Sequence, residues 1–165
     1  MKPLVLGLGN DLLGDDGIGI LAVRRLAPEC SELADVVESG LHGAALIDLL
    51  IGYRRVIIID AVTTGLYPPG TIIDLIPSEL DAVPSPSPHF SGLPELKTLA
   101  ACCNLPFPEE IKIVAVEVSD PYTIGGSMSR PVADSLDGVT ELVTACLRQW
   151  AVTDPIETRS CPAAV

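Results

Sequence analysis

Four consecutive β-branched residues, Val56-Ile-Ile-Ile59, run directly into an aspartate, Asp60. A strand with no polar face must be covered on both sides, as in a parallel sheet held between helices. Further strand-like runs lie at 4–6, 35–38, 71–76 and 111–118. Helical patterns alternate with them at Asp16–Leu26, Gly43–Ile51, Pro94–Cys103 and Val132–Trp150. This alternation predicts an α/β fold: a three-layer α/β/α sandwich around a mostly parallel, twisted sheet of about five strands. The link from Asp60 to Thr71 is too short for a crossover helix, so the 71–76 strand is expected to pair antiparallel at or near an edge.

The length of 165 residues fits one domain, placed here at 1–150, with 151–165 read as a polar, poorly ordered tail. A formal net charge of -12 argues against nucleic acid, whose phosphates need lysine and arginine. Five cysteines at irregular spacings contain no Cys-x-x-Cys, which disfavours a zinc ribbon or a thioredoxin-like motif. Neighbouring Cys102 and Cys103 are read as helix packing residues. No apolar run nears the roughly 20 residues of a membrane span. Polar residues interrupt any signal-like core near the start, so a reducing, cytoplasmic location is expected.

The chain begins with a short apolar run, Leu4–Leu6, that enters a glycine-rich loop and then a helical pattern. Such loops usually cradle phosphate at a helix N-terminus. Two nucleotide motifs come close and fail. In the dinucleotide fingerprint Gly7 and Gly9 match, but Leu12 holds the third glycine position. Gly9 and Gly14 have P-loop spacing, yet Asp15 and Asp16 replace the lysine and the hydroxyl. Negative charge stands where a phosphate would go, so the loop suits a cation. A plain helix cap would use one aspartate and leave the other available.

Asp60 ends its apolar run and should lie at the C-terminal edge of a central strand, where open α/β sheets bind ligands. The loop after the first strand opens on the same edge, so Asp16 and Asp60 can converge. His89 sits in Pro84-Ser-Pro-Ser-Pro-His-Phe90, a proline-stiffened loop suited to holding an imidazole in place. His42, in Gly40-Leu-His-Gly43, can reach the same edge as a further ligand or a supporting group, and ranks below His89.

With these residues in view, the chain resembles the hydrogenase maturation endopeptidases, which trim the C-terminal tail from the large-subunit precursor of nickel–iron hydrogenases. The family's opening appears as Gly7-Leu-Gly-Asn-Asp-Leu-Leu-Gly-Asp-Asp-Gly-Ile-Gly19, and its strand ending in aspartate as Ile57-Ile-Ile-Asp-Ala-Val62. Ser87-Pro-His89 with Leu93, and Gly125-Gly-Ser-Met-Ser129, match later segments. One departure stands out: the family often has Asp-Gly-Gly-Thr-x-Gly where this chain has Glu38-Ser-Gly-Leu-His-Gly43, so His42 takes the threonine's place.

The resemblance implies a catalytic domain of α/β/α architecture with Asp16, Asp60 and His89 as both metal-contacting and catalytic residues. It implies that nickel arrives bound to cysteines of the precursor. These three side chains would then recognise it, and nickel would license cleavage, as a recognition element or as a Lewis acid on the scissile carbonyl. The expected partner is that precursor, met transiently by a monomer, with no nucleic acid and no membrane. Two rivals remain open at this stage. One is a non-catalytic nickel-protein chaperone or metal-binding module using the same residues. The other is a serine hydrolase built on Ser127, whose Gly-Gly-Ser-Met-Ser context lacks the last glycine of a nucleophile elbow.

Overall fold

The computed structural model describes residues 1–82, 87, 89 and 92–153. Five strands form one sheet: β1 (Leu4–Leu8), β2 (Asp35–Ser39), β3 (Arg55–Val62), β4 (Ile72–Leu75) and β5 (Glu110–Glu117), in the order β2-β1-β3-β5-β4. Neighbours run parallel, except that edge strand β4 lies antiparallel to β5, with Ile72 opposite Val116. The helices are α1 (Ile18–Cys30), α2 (Ile47–Leu50), α3 (Leu93–Cys102) and α4 (Arg130–Thr153).

The sheet is covered on both faces because its strands are apolar on both faces. Val5, Ile57, Ile59, Val114 and Val116 pack with α1 and α4. The alternate residues Leu6, Ile58, Ile113 and Ala115 pack with Leu46 and Leu50 on one side of the sheet's other layer and with Leu93 and Leu96 of α3. Helix α4 supplies Val132, Val139, Val143, Leu147 and Trp150, all buried and spaced by three, four or seven residues. The expected three-layer sandwich, with its antiparallel edge, is therefore the observed one. The chain steps from β1 out to β2, then returns to β3 on the other side of β1. This reversal opens a crevice at the C-terminal ends of β1 and β3.

Several boundaries differ from the sequence expectation. Asp16 does not begin an α-helix: Gly14–Gly17 is a 3-10 turn, and neither aspartate caps α1 with its side chain. Likewise Gly43–Leu46 is a 3-10 turn ahead of a single α-helical turn. Helix α1 continues past Leu26 through Pro28, because buried Cys30 anchors its last turn in the core. A 3-10 segment, Pro77–Ala82, was not anticipated. Cys102 and Cys103 are exposed at the end of α3 rather than packed, whereas Cys30 and Cys146 are buried. Helix α4 runs through Thr153, beyond the expected boundary, and residues 154–165 lie outside the described residues. Among the described residues no helix is long and apolar enough to cross a membrane.

Close approach of α1 to the sheet depends on two glycines. A Cβ on Gly19 would stand 2.2 Å from the Leu8 carbonyl oxygen and 2.4 Å from that of Ile59. A Cβ on Gly7 would stand 2.2 Å from the Gly19 carbonyl oxygen. No flexible side chain can yield at these backbone contacts. Gly19→Ala is therefore expected to cost about 3 kcal/mol. Urea denaturation checks this: the midpoint should fall with an unchanged slope, and an unmoved midpoint would show that α1 can lift off the sheet at no cost.

Candidate metal centre

The crevice between β1 and β3 is built from three segments. In the first, β1 hands over to the loop that contains the 3-10 turn Gly14–Gly17. Gly9 has φ +130, and a Cβ there would fall 2.0 Å from the Asp16 carbonyl oxygen. The loop can thus fold back over its own turn, and this brings Asp16 to the sheet. The glycine serves the close approach of the protein's own backbone. Asp15 and Asp16 are both buried but point to different tasks. The Asp15 carboxylate accepts from the Ser129 amide at 2.6 Å and from the Ser129 hydroxyl at 2.9 Å, pinning the residue before α4. Asp15 is fully employed, and Asp16 faces the crevice.

The second segment is β3. Asp60 lies two residues before the strand's end and is completely buried. It shares its sheet face with Ile58 and Val62, the face covered by α3. Its carboxylate accepts from the Ala61 amide at 2.9 Å and from the Ser87 hydroxyl at 2.5 Å.

The third segment carries Ser87 and His89; Pro84, Pro86, Pro88 and Phe90 of that loop lie outside the described residues. The Ser87 hydroxyl oxygen accepts from the His89 amide at 3.1 Å, so one hydroxyl ties Asp60 to the backbone of His89. The His89 ring sets Nδ1 3.4 Å from the Leu41 carbonyl oxygen and Nε2 3.7 Å from Asp16 Oδ2. Metal-binding imidazoles commonly give their second N–H to a backbone carbonyl, which leaves the other nitrogen free to coordinate. His89 is placed for that arrangement, with Nδ1 toward the Leu41 carbonyl and Nε2 on the side of Asp16.

Asp16, Asp60 and His89 thus each offer a ligand atom, and these atoms all lie within 4.8 Å of one another. The spatial convergence expected from sequence is present. The donor set fits a divalent cation: two carboxylates match its charge, and an imidazole suits nickel or zinc better than magnesium. Three protein ligands leave coordination positions open. Beside them an open cleft of about 430 Å³ is lined by Asn10, Arg24, Glu38, Ser39 and Tyr122, among others.

Protonation reflects the same crowding. Burial pushes the Asp60 carboxyl up to about 7, against the pull of a charged His89 and the Ser87 hydrogen bond. The Asp16 carboxylate holds the His89 imidazolium and raises it to about 8, against the opposing effect of its burial.

Some contributors were not singled out from sequence. Ser87 and Ser129 were visible only as parts of matched segments, and their acidic partners are 27 and 114 residues away. Glu117, buried at the end of β5, is satisfied by the Thr64 amide, the Thr64 hydroxyl and the Gly65 amide; it closes the β3–β4 connection and faces no ligand role. Exposed His42 is near the site but outside the converged trio, its ring centroid 6.3 Å from that of His89. Ser127 is exposed in the connection between β5 and α4, with no strand abutting it, so the serine-elbow geometry is absent.

Comparison with known proteins identifies the family and agrees with the fold. A family model described as hydrogenase maturation protease matches residues 20–146, a span that includes Asp60 and His89. The hydrogenase expression/formation protein HupD of Rhizobium leguminosarum bv. viciae is 30% identical over 159 residues, covering 92% of this chain and 76% of that protein. The hydrogenase 2 maturation protease of Escherichia coli K12 is 30% identical over 158 residues, covering 92% and 94%. The solved hydrogenase maturating endopeptidase HybD from E. coli superposes with a TM-score of 0.74 at 27% identity, covering 90% of this chain and 93% of that one.

The raised pKa values set a pH dependence for the metal-free protein. Asp60 and His89 both bind protons more tightly folded than unfolded, so stability falls as pH rises. The Asp60 contribution is lost between its ordinary 3.8 and about 7, and that of His89 between 6.5 and about 8. Thermal melts in chelator from pH 5 to pH 9 are expected to show a falling Tm. Asp60→Asn, which cannot ionise, should melt higher than the parent at pH 8, by a margin that shrinks toward pH 5. A parent Tm that rises across this range would contradict the buried-carboxyl account.

Proposed function

The chain belongs to the hydrogenase maturation protease family, and from that premise we propose that it removes the C-terminal extension of a nickel-loaded precursor of a nickel–iron hydrogenase large subunit. Asp16, Asp60 and His89 recognise the bound nickel, which is part of the substrate. One observation carries this reading: the ligand atoms of these three residues, far apart in sequence, gather within 4.8 Å of one another at the switch point of the sheet.

The chemistry follows from the donor set. Two carboxylates neutralise a divalent ion, and the crevice that buries Asp60 excludes the water that would otherwise compensate that charge. The open positions left by three ligands accept groups the precursor brings with its metal. Nickel held at this rim would act as a Lewis acid close to the substrate backbone. Ser87 keeps Asp60 and His89 in register, and the Leu41 carbonyl orients the His89 ring. The neighbouring cleft has room for the chain leading to the scissile bond. A precursor without metal gives the trio nothing to hold, so loading precedes cleavage. Membership of a protease family favours cleavage over the chaperone alternative.

Mass spectrometry of a nickel-loaded precursor, before and after incubation with this protein, tests the reading directly. A large subunit shortened at its C-terminus is the expected product. Asp16→Asn and His89→Ala should each reduce processing by about a thousandfold or more, in line with removing a group on which the transition state depends, while circular dichroism stays that of the parent. Unimpaired processing by either variant would remove that residue from the site. A stable complex with an intact tail would replace cleavage by a holding role.

A further inference from the structure

We propose that His42 supplies a fourth ligand to the cation bound by Asp16, Asp60 and His89, so that this chain can hold a divalent metal by itself. The proposal rests on the three-ligand reading above and extends it.

The segment that carries His42 is strapped to His89 on both sides. The Leu41 carbonyl oxygen faces His89 Nδ1 at 3.4 Å, and the Gly43 amide donates to the His89 carbonyl at 3.4 Å. Between these ties the backbone at His42 is extended, with φ -147 and ψ 164, and its side chain is exposed. The edge-on contact with the His89 ring is the side-chain interaction His42 makes among the described residues. The backbone is therefore positioned while the imidazole is free to turn, and exposed rotamers exchange within nanoseconds.

The distance is within reach. An imidazole bound through one nitrogen at about 2.1 Å puts its ring centroid roughly 3.2 Å from the metal. Two imidazoles on one metal then have centroids at most about 6.4 Å apart, and about 5.2 Å at a tetrahedral angle. The observed separation is 6.3 Å with rings inclined at 80°. The observed separation lies just inside the span open to two imidazoles on one metal, and rotation of the exposed His42 side chain is the movement the proposal requires. Charge points the same way. Two carboxylates already balance a divalent ion, so a neutral imidazole closes the coordination without adding charge to a crevice in which Asp60 is fully buried.

The chain has two histidines in all, which makes ligand counting unambiguous. Untagged protein is loaded with one equivalent of Cu2+ as a paramagnetic probe, and pulsed electron paramagnetic resonance counts coordinated imidazoles. Calorimetric titration measures Ni2+ affinity separately. The parent is expected to show two imidazoles; His42→Ala and His89→Ala should each show one. His42→Ala should weaken Ni2+ binding at least tenfold, since even a partner outside the coordination sphere is worth about that much. His42 is exposed, so its truncation leaves the fold intact, and an unchanged melting curve in chelator verifies this. One imidazole in both the parent and His42→Ala, with equal Ni2+ affinity, overturns the role of His42 and leaves the three-ligand site standing. No binding by the parent overturns the fourth ligand and leaves recognition of a precursor-borne metal standing, whereas binding that survives Asp60→Asn unchanged brings down the three-ligand site and this proposal together.

Discussion

A fully buried carboxylate at the rim of a parallel sheet is the constraint around which this molecule is organised. Asp60 has no solvent to stabilise its charge, and an amide and a hydroxyl are what the fold offers instead. Burying an ionised group without a counter-charge is costly, so such a group takes up a proton or gains a cation. With Asp16 and His89 beside it, the crevice is poised between these states. A divalent ion can displace the Asp60 proton to solvent, and the imidazolium can give up its own to leave a lone pair. A bound cation relieves the cost of burying that charge.

Keeping three ligands at this point requires that the surrounding loops do not yield. Each is tied down by polar groups with satisfied partners. Asp15 fixes the start of α4 through Ser129, Glu117 closes the turn after β3, and Ser87 links strand to loop. Arg24 spans Glu38 and Asp11 with three hydrogen bonds at the cleft's edge, joining α1, the end of β2 and the first loop. These Arg24 contacts are exposed and contribute little to stability. Their effect is geometric, since they hold the cleft walls in register beside the ligands. The glycines at 7, 9 and 19 act at closer range, letting helix, strand and loop meet at distances no side chain would permit.

Much of the architecture was legible because it is written in local patterns. The unbroken β-branched run in β3 called for two covering layers, and Ile57 with Ile59 packs on one face while Ile58 packs on the other. The short link to β4 called for an antiparallel edge. Helix limits were less legible. A proline normally ends a helix, yet α1 carries Pro28 because buried Leu26 and Cys30 hold the final turn. The turn at Gly14–Gly17 is 3-10 rather than α-helical, and Asp15, whose composition suits a cap, has its carboxylate taken by Ser129.

The sequence by itself determined the alternation of strands and helices and the side of the sheet where chemistry would be found, and it offered Asp60, His89 and a pair of adjacent aspartates as candidates there. The alternation follows from short-range periodicity and Asp60 from its place near the end of a strand, while the choice of Asp16 and His89 came from the family resemblance. Only the tertiary structure decided which of two adjacent aspartates faces the crevice, that a serine bridges two ligands, and that the backbone around His42 is strapped to His89. These outcomes depend on contacts between segments distant along the chain, and hydrogen-bond direction and close packing are set when those segments dock.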